Sequence, residues 1–169
     1  VLDGEMDEET AQGMFFRDTR IVSGWSIRLN GQHIEHLSTA IAEPFRASFL
    51  GRACPDELYG ECTILVRRDR YVGSGLREDI SLRNLGREPA HCTLTISVAA
   101  DFADLFEVKE RRVIHSGEHS VEVMAGELYL TRRWHGERRG VRVSTLGAHV
   151  APHLLTFAIV LQLAMVGVG

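Results

Sequence analysis

Lysine is almost missing from this chain of 169 residues, since Lys109 is the one lysine among 19 basic residues. The other basic residues are arginines, a bias more typical of a GC-rich bacterial genome than of phosphate recognition. The formal net charge is −4, so the chain has no overall attraction for nucleic acid or for an anionic membrane. We therefore expect neither of these as a partner.

Cysteine is also scarce, with Cys54, Cys62 and Cys92 as an odd set that contains no CxxC pair. This usage argues against a disulfide framework and fits a reducing compartment. Cys92 lies on an alternating apolar face, which is typical of a small core residue. The sequence therefore predicts a cytoplasmic protein without disulfides.

Several functional signals are lacking. The chain shows no basic segment followed by an apolar one at its start, so no secretory signal is expected. The apolar segment 154–169 is interrupted by Gln162 and is shorter than the ~20 residues of a spanning helix, so it favours a buried strand over a membrane anchor. No phosphate-cradling glycine loop, nucleophile elbow or dinucleotide fingerprint occurs, and no cofactor is expected.

Alternation of apolar and polar residues with a period of two dominates the chain and predicts strands. It is clearest where Cys92, Leu94, Ile96 and Val98 alternate with polar residues. Asn30-Gly31 predicts a two-residue hairpin turn, because both residue types tolerate positive φ. The predicted strands are 21–29, 32–37, 45–50, 62–72, 76–85, 92–98, 121–124, 128–134, 141–146 and 155–163, with a polar hairpin loop over 135–140.

The chain has no long apolar stripe at helical spacing, no internal repeat and no linker. These features predict one mainly β domain over residues 1–169, an antiparallel two-sheet β-sandwich with few short helices.

Several segments in order resemble the amino-terminal domain of bacterial glycogen debranching enzymes of the amylo-alpha-1,6-glucosidase type. The resemblance covers about residues 4–146. The segments are GMFFRDTR at 13–20, LVRR at 65–68, GLRE at 75–78, LRN at 82–84, GREP at 86–89 and AADFADLFEV at 99–108.

The resemblance implies a supersandwich of the galactose-mutarotase-like kind that precedes a catalytic (α/α) barrel. The barrel, which this chain lacks, would hydrolyse the α-glucan substrate, so the parent protein would be a glycoside hydrolase and this chain a non-catalytic half. The domain would pack against the barrel and shape its substrate cleft. Without the barrel, the domain would expose the apolar surface that normally contacts it, and would therefore self-associate as a homo-oligomer.

Hydrolysis of a glycosidic bond usually needs two carboxyl groups ~5–9.5 Å apart. Glu78 and Asp79 are available, together with acids of the matching segments, but we predict no catalytic residue. The acids of 101–107 are expected to cap backbone N–H groups or to pair with arginines, and Asp18 to form a network with its flanking arginines. The candidates for contact with the barrel or its sugar cleft are Arg17, Asp18, Arg20, Asp101, Asp104 and Glu107.

Two other functions stay open. A carbohydrate-binding module would use exposed aromatic residues such as Trp25 or Trp134. A cupin-like metalloprotein would use His115, His119 and Glu122, but these lack the close HxH spacing, so no metal site is expected. An arginine-rich hairpin is expected to be a solvated surface paired with Glu127 and Glu137; its basic residues are Arg132, Arg133, Arg138, Arg139 and Arg142.

Overall fold

The computed structural model describes residues 3–55 and 61–162, and nearly all regular structure within them is β-strand. One helix of five residues, α1 (Leu105–Lys109), is present among them. The strands are β1 (Met14–Phe16), β2 (Thr19–Val22), β3 (Gly24–Leu29), β4 (Gln32–His33), β5 (Glu35–Glu43), β6 (Arg46–Ala53), β7 (Ile64–Val72), β8 (Leu76–Asn84), β9 (Ala90–Ala99), β10 (Glu118–Met124), β11 (Glu127–Trp134), β12 (Glu137–Val143), β13 (His149–Ala151) and β14 (Leu154–Leu161).

The strands form four sheets. Their orders are β1-β2, β5-β6-β7-β8, β10-β11-β12 and β13-β14-β9-β3-β4. Strands β5 to β8 and β10 to β12 pair antiparallel with their neighbours in sequence. The predicted fold class, a mainly antiparallel β-sandwich with few short helices, is confirmed. No helix in the described ranges has the length and apolar character that crossing a bilayer requires.

The chain divides into two compact units. Among the described residues, the first comprises 3–4, 27–55, 61–94 and 158–162, and the second comprises Glu5–Ser26 and Thr95–Phe157. Strands β3, β9 and β14 contribute residues to both units. That residues 1–169 form one domain stays a prediction.

The core of the first unit is built by alternation along its strands. Phe49, Ile64 and Val66 are buried on β6 and β7, since successive side chains of a strand point to opposite faces. Ile27 and Leu29 of β3, with Cys92 and Leu94 of β9, are also buried. These side chains lie on the buried faces of their strands, and on β7 the same face continues with the buried Arg68 and Arg70.

The predicted Asn30-Gly31 turn is confirmed, with φ of 52° and 79°. The Asn30 side chain also accepts from Thr93 N at 2.7 Å and donates to Pro55 O at 2.8 Å. This asparagine therefore fixes both the turn and its neighbouring segments.

The core of the second unit combines strand residues with the segment that leads into α1. Its buried apolar side chains include Trp25, Ile96, Val98, Phe102, Val108, Leu128, Leu130 and Leu155. The alternation predicted for 92–98 is thus observed along the whole of β9.

Several predicted boundaries need correction. The predicted strand 21–29 is interrupted at Ser23, whose N–H donates to Ala99 O at 2.9 Å. The predicted strand 32–37 belongs to two sheets, because β4 pairs with β3 whereas β5 pairs with β6. The predicted loop 135–140 is only a two-residue turn, since Trp134 and Glu137 are already paired. The end of the predicted strand 155–163, at Leu163, lies outside the described residues.

The expectation that the protein has no disulfide was wrong. Cys54 and Cys62 are joined, because antiparallel pairing of β6 with β7 sets Ala53 opposite Ile64 and brings the adjoining cysteines together. Cys92 is free and buried, as predicted, and burial raises the pKa of its thiol. A disulfide is uncommon in the cytoplasm, so the cytoplasmic location stays a prediction.

Candidate functional site

The two most distinctive sequence segments meet in the second unit. Arg20 N donates to Ala103 O at 2.8 Å, and Leu105 N donates to Asp18 O at the same distance. Thr19 and Asp104 form an isolated antiparallel bridge. The β1–β2 hairpin is therefore attached to residues 101–104, which we call the signature loop.

A buried ion pair reinforces this attachment. The side chains of Arg20 and Asp101 are only 1% and 4% exposed, and Arg20 Nε donates to Asp101 Oδ2 at 3.1 Å. The Arg20 Nη1 group donates to Thr10 O at 2.7 Å and to Gln12 O at 3.1 Å. The buried guanidinium is thus satisfied by one carboxylate and by backbone carbonyls, as an arginine out of water requires.

The signature loop contains a strained residue. Phe102 is 2% exposed and has a φ of 53°, which is rare for a bulky side chain. Arg132 Nη1 donates to Phe102 O at 2.5 Å, and Ala103 N donates to Asp101 Oδ1 at 3.2 Å. Such a conformation persists only where surrounding contacts impose it, and it is found more often at functional sites.

The acids at the end of the loop cap the helix. Asp104 is the N-cap of α1 and accepts from Phe106 N at 2.8 Å. Glu107 Oε2 accepts from Asp104 N at 2.9 Å, which completes a capping box. The prediction that acids of 101–107 cap backbone groups or pair with arginines is confirmed.

A polar cleft of about 250 Å³ opens beside the signature loop and the turn between β11 and β12. Trp134 supplies an aromatic ring that is 42% exposed. The charged side chains that line the cleft are Asp104, Glu107, Arg132, Glu137 and Arg139. Thr19, Phe102 and Ser116 complete the lining. The cleft therefore offers an aromatic ring, guanidinium donors and carboxylate acceptors within one concavity.

The arginines of the cleft are already oriented. Arg139 Nη1 donates to Thr19 Oγ1, and Arg139 Nη2 lies 3.6 Å from Glu137 Oε2. Arg142 pairs with Glu127 at 3.8 Å. The predicted pairing with Glu137 and Glu127 is confirmed for Arg139 and Arg142. Arg132 instead donates to Phe102 O of the signature loop.

Arg17 and Asp18 occupy the two-residue turn between β1 and β2, with φ of 46° and 59°. Both are exposed, and the Arg17 guanidinium lies 5.3 Å from the centroid of the Phe16 ring. The predicted network between Asp18 and its flanking arginines was wrong, because Arg20 turns inward and pairs with Asp101 instead.

Other sequence candidates lie elsewhere. Glu78 is buried in the first unit between Arg68 and Arg70, and Asp79 pairs with Arg77 on an exposed face. Trp25 is buried, so its ring cannot stack on a sugar in this structure. Glu78 and Asp79 therefore belong to ion pairs with arginines, and Trp134 is the exposed tryptophan.

The two histidines proposed for a cupin-like site are neighbours. The rings of His115 and His119 approach edge to face at 6.3 Å between centroids. Within residues 3–55 and 61–162, no group of three or more histidine, cysteine or acidic side chains is placed to hold a metal ion. The geometry therefore gives the cupin alternative no support.

Sequence reasoning missed the union of the arginine-rich hairpin with the signature loop. Arg132 and Phe102 are 30 residues apart in sequence, and no local pattern links them. The one available signal was Trp134, an aromatic residue beside charged ones at the end of a strand.

Comparison with known proteins gives one family. No curated protein sequence matches the chain. A family model described as the N-terminal domain of some glycogen debranching enzymes matches residues 2–164, which is nearly the whole chain. The chain therefore belongs to the family of N-terminal domains of glycogen debranching enzymes.

Proposed function

We propose that this chain is a non-catalytic accessory domain that packs against the catalytic (α/α) barrel of a glycogen debranching enzyme. The single observation that carries the proposal is the attachment of the β1–β2 hairpin to the signature loop, within a chain of this family. The attachment fixes a surface rather than a reactive centre. The barrel would act on the α-glucan, which makes the parent protein a glycoside hydrolase.

The carboxylates of the cleft support a non-catalytic role. Asp104 and Glu107 cap α1, and Glu137 lies beside Arg139. A glycosidase needs one carboxyl group to donate a proton and a second to act as base or nucleophile. Each acid here already serves a structural contact, so we assign hydrolysis to the barrel.

The surface that would meet the barrel lies where the two segments join. Phe16 is 56% exposed and Phe106 is 67% exposed. Phe16 comes two residues before Asp18 and Phe106 directly after Leu105, and Leu105 N donates to Asp18 O. We call Phe16, Arg17, Asp18 and Phe106 the docking surface. Exposed apolar side chains rimmed by charges are typical of an interface, and their exposure also predicts self-association of the chain alone.

Sedimentation velocity tests the proposal. The chain is mixed with the barrel domain of a debranching enzyme of this family, and we expect a one-to-one complex. Phe16→Ser combined with Phe106→Ser should abolish the complex, whereas Phe45→Ser, at a residue 54% exposed in the first unit, should preserve it. No complex with the unaltered chain, or equal binding by the double variant, would contradict the proposal.

A second candidate function is a carbohydrate-binding module. The exposed ring of Trp134 in a polar cleft favours it, whereas the buried Trp25 does not. The two functions are compatible, because the docking surface and the cleft use different side chains.

A further inference from the structure

The chemistry of the cleft beside the signature loop indicates what it would hold. We propose that the cleft binds one or two neutral glucosyl rings of an α-glucan, with Trp134 as the stacking platform and the surrounding charged groups as hydrogen-bond partners. The choice of α-glucan rests on the proposed function. The requirement for a neutral polyhydroxyl ligand rests on the cleft alone.

The charge of the cleft excludes an anion as the preferred ligand. Three carboxylates and two guanidiniums line it, which gives a formal charge of −1. A phosphate group would meet Glu107 and Glu137 as well as the arginines, and like charges repel. A sugar hydroxyl both donates and accepts, so it can use both kinds of side chain.

The size of the cleft fits a short part of a glucan chain. Its volume of about 250 Å³ lies just below the ~300–1,000 Å³ of drug-sized pockets. One or two sugar rings fill such a space, and the rest of a glucan would continue into solvent. The Trp134 ring lines the cleft and is 42% exposed, with the His135 ring against it at 4.2 Å between centroids. An indole ring of this kind would stack on the C–H face of a sugar.

The polar groups are held in place before a ligand arrives. Arg132 is fixed by Phe102 O at 2.5 Å, and Arg139 is fixed by the hydroxyl of Thr19. The Glu107 carboxylate is held by a hydrogen bond that its Oε2 accepts from Asp104 N at 2.9 Å. Because these side chains are already ordered, binding loses less conformational entropy. This preorganisation links the strained signature loop to recognition.

Nuclear magnetic resonance of the full 169-residue chain tests the inference directly. The chain has two tryptophans and therefore two indole N–H signals. We expect maltotetraose to shift the Trp134 signal saturably and to leave the signal of the buried Trp25 in place. Cellotetraose serves as the β-linked comparator, and inorganic phosphate serves as the anionic probe.

Isothermal titration calorimetry of variants measures how much each side chain contributes to maltotetraose binding. Trp134→Ala should weaken maltotetraose binding about tenfold or more, and Glu137→Ala should weaken it to a smaller extent. Phe45→Ala, in the first unit, should bind as the unaltered chain does. A native-like far-ultraviolet spectrum for each variant ensures that a loss reflects the site.

Four results would overturn the inference: no saturable shift with maltotetraose, equal binding of cellotetraose, preferential binding of phosphate, or unchanged binding by Trp134→Ala. These results are separate from the sedimentation test of the proposed function. A chain that binds the barrel but no glucan loses this inference alone, and a chain that binds glucan but no barrel loses the docking role.

Discussion

The two units each contain a buried cluster of arginine and carboxylate, and the clusters differ in what they connect. In the second unit, Arg20 and Asp101 are 81 residues apart in sequence and hold the strained signature loop. In the first unit, Glu78 pairs with Arg68 at 2.9 Å and with Arg70 at 3.2 Å, across the neighbouring strands β7 and β8.

Both clusters also anchor the segment that precedes β1. Arg68 and Arg70 donate to Gly4 O at 3.1 and 2.6 Å, much as Arg20 donates to Thr10 O and Gln12 O. The two clusters therefore differ in how far apart in the sequence the residues that they join lie. The Glu78 cluster joins two strands that are neighbours in sequence, whereas the Arg20–Asp101 pair joins the β1–β2 hairpin to the distant signature loop.

The largest expected effect comes from breaking the Arg20–Asp101 pair. Arg20→Met should lower the free energy of unfolding by about 3–5 kcal/mol, because it leaves a buried charge without its partner. Arg77→Met is the matched control, since the Arg77 and Asp79 side chains are 74% and 44% exposed and an exposed ion pair contributes little to stability. Urea titrations measure the free energy of unfolding of both variants. An equal decrease in the two would show that the buried pair is no more important for stability than the exposed one.

Glu78→Gln should cost about 3 kcal/mol, because it removes the buried carboxylate that pairs with the Arg68 and Arg70 guanidiniums. It should nevertheless leave maltotetraose binding unchanged, since Arg68 and Arg70 line no part of the cleft. Asp101→Asn should reduce both stability and binding. Urea unfolding and calorimetric titration of both variants check this contrast, and loss of glucan binding by Glu78→Gln would count against it.

A smaller effect is expected at Gly4, whose carbonyl oxygen accepts hydrogen bonds from Arg68 and Arg70. Its φ is +81°, and an added Cβ would lie 2.8 Å from the Phe49 ring. Gly31 has a similar φ of +79° with open space around it. Gly31→Ala should therefore cost only backbone strain, about 1–2 kcal/mol, and Gly4→Ala should cost more. Thermal unfolding compares them, and equal costs would show that Phe49 simply moves aside.

The smallest effect concerns an ion pair nearer the surface and depends on pH. Hydrogen bonds from Arg67 and Ser48 hold the pKa of Asp69 below its usual value. The stabilisation is thus present above about pH 4 and is lost as the pH falls through the lowered pKa of the folded state. Asp69→Asn should cost up to ~1 kcal/mol near pH 7, and its deficit should shrink in acid. A deficit that grows as the pH falls would contradict this account.

Local patterns predicted local structure well. The alternation of Cys92, Leu94, Ile96 and Val98 gave the buried face of β9, and Asn30-Gly31 gave the turn that follows β3. Both depend on neighbouring residues, where the period of a strand and the tolerance for positive φ decide the outcome.

Contacts between distant segments were not predictable in the same way. Asp18 is nearest to Arg20 in sequence, yet the guanidinium turns to Asp101, which also lies in the interior. The same holds for Cys54 and Cys62, which only the pairing of β6 with β7 brings together. Strand β5 was recognised only in part, because most of its residues are exposed and its pattern carries little apolar alternation.

An assay of glucose release from a branched dextrin tests the central claim most directly. The account predicts that the purified chain releases none, and that hydrolysis appears only when a barrel domain is present. Release of glucose by the chain alone, abolished by Asp104→Asn or Glu107→Gln, would contradict it and would make the cleft a catalytic centre.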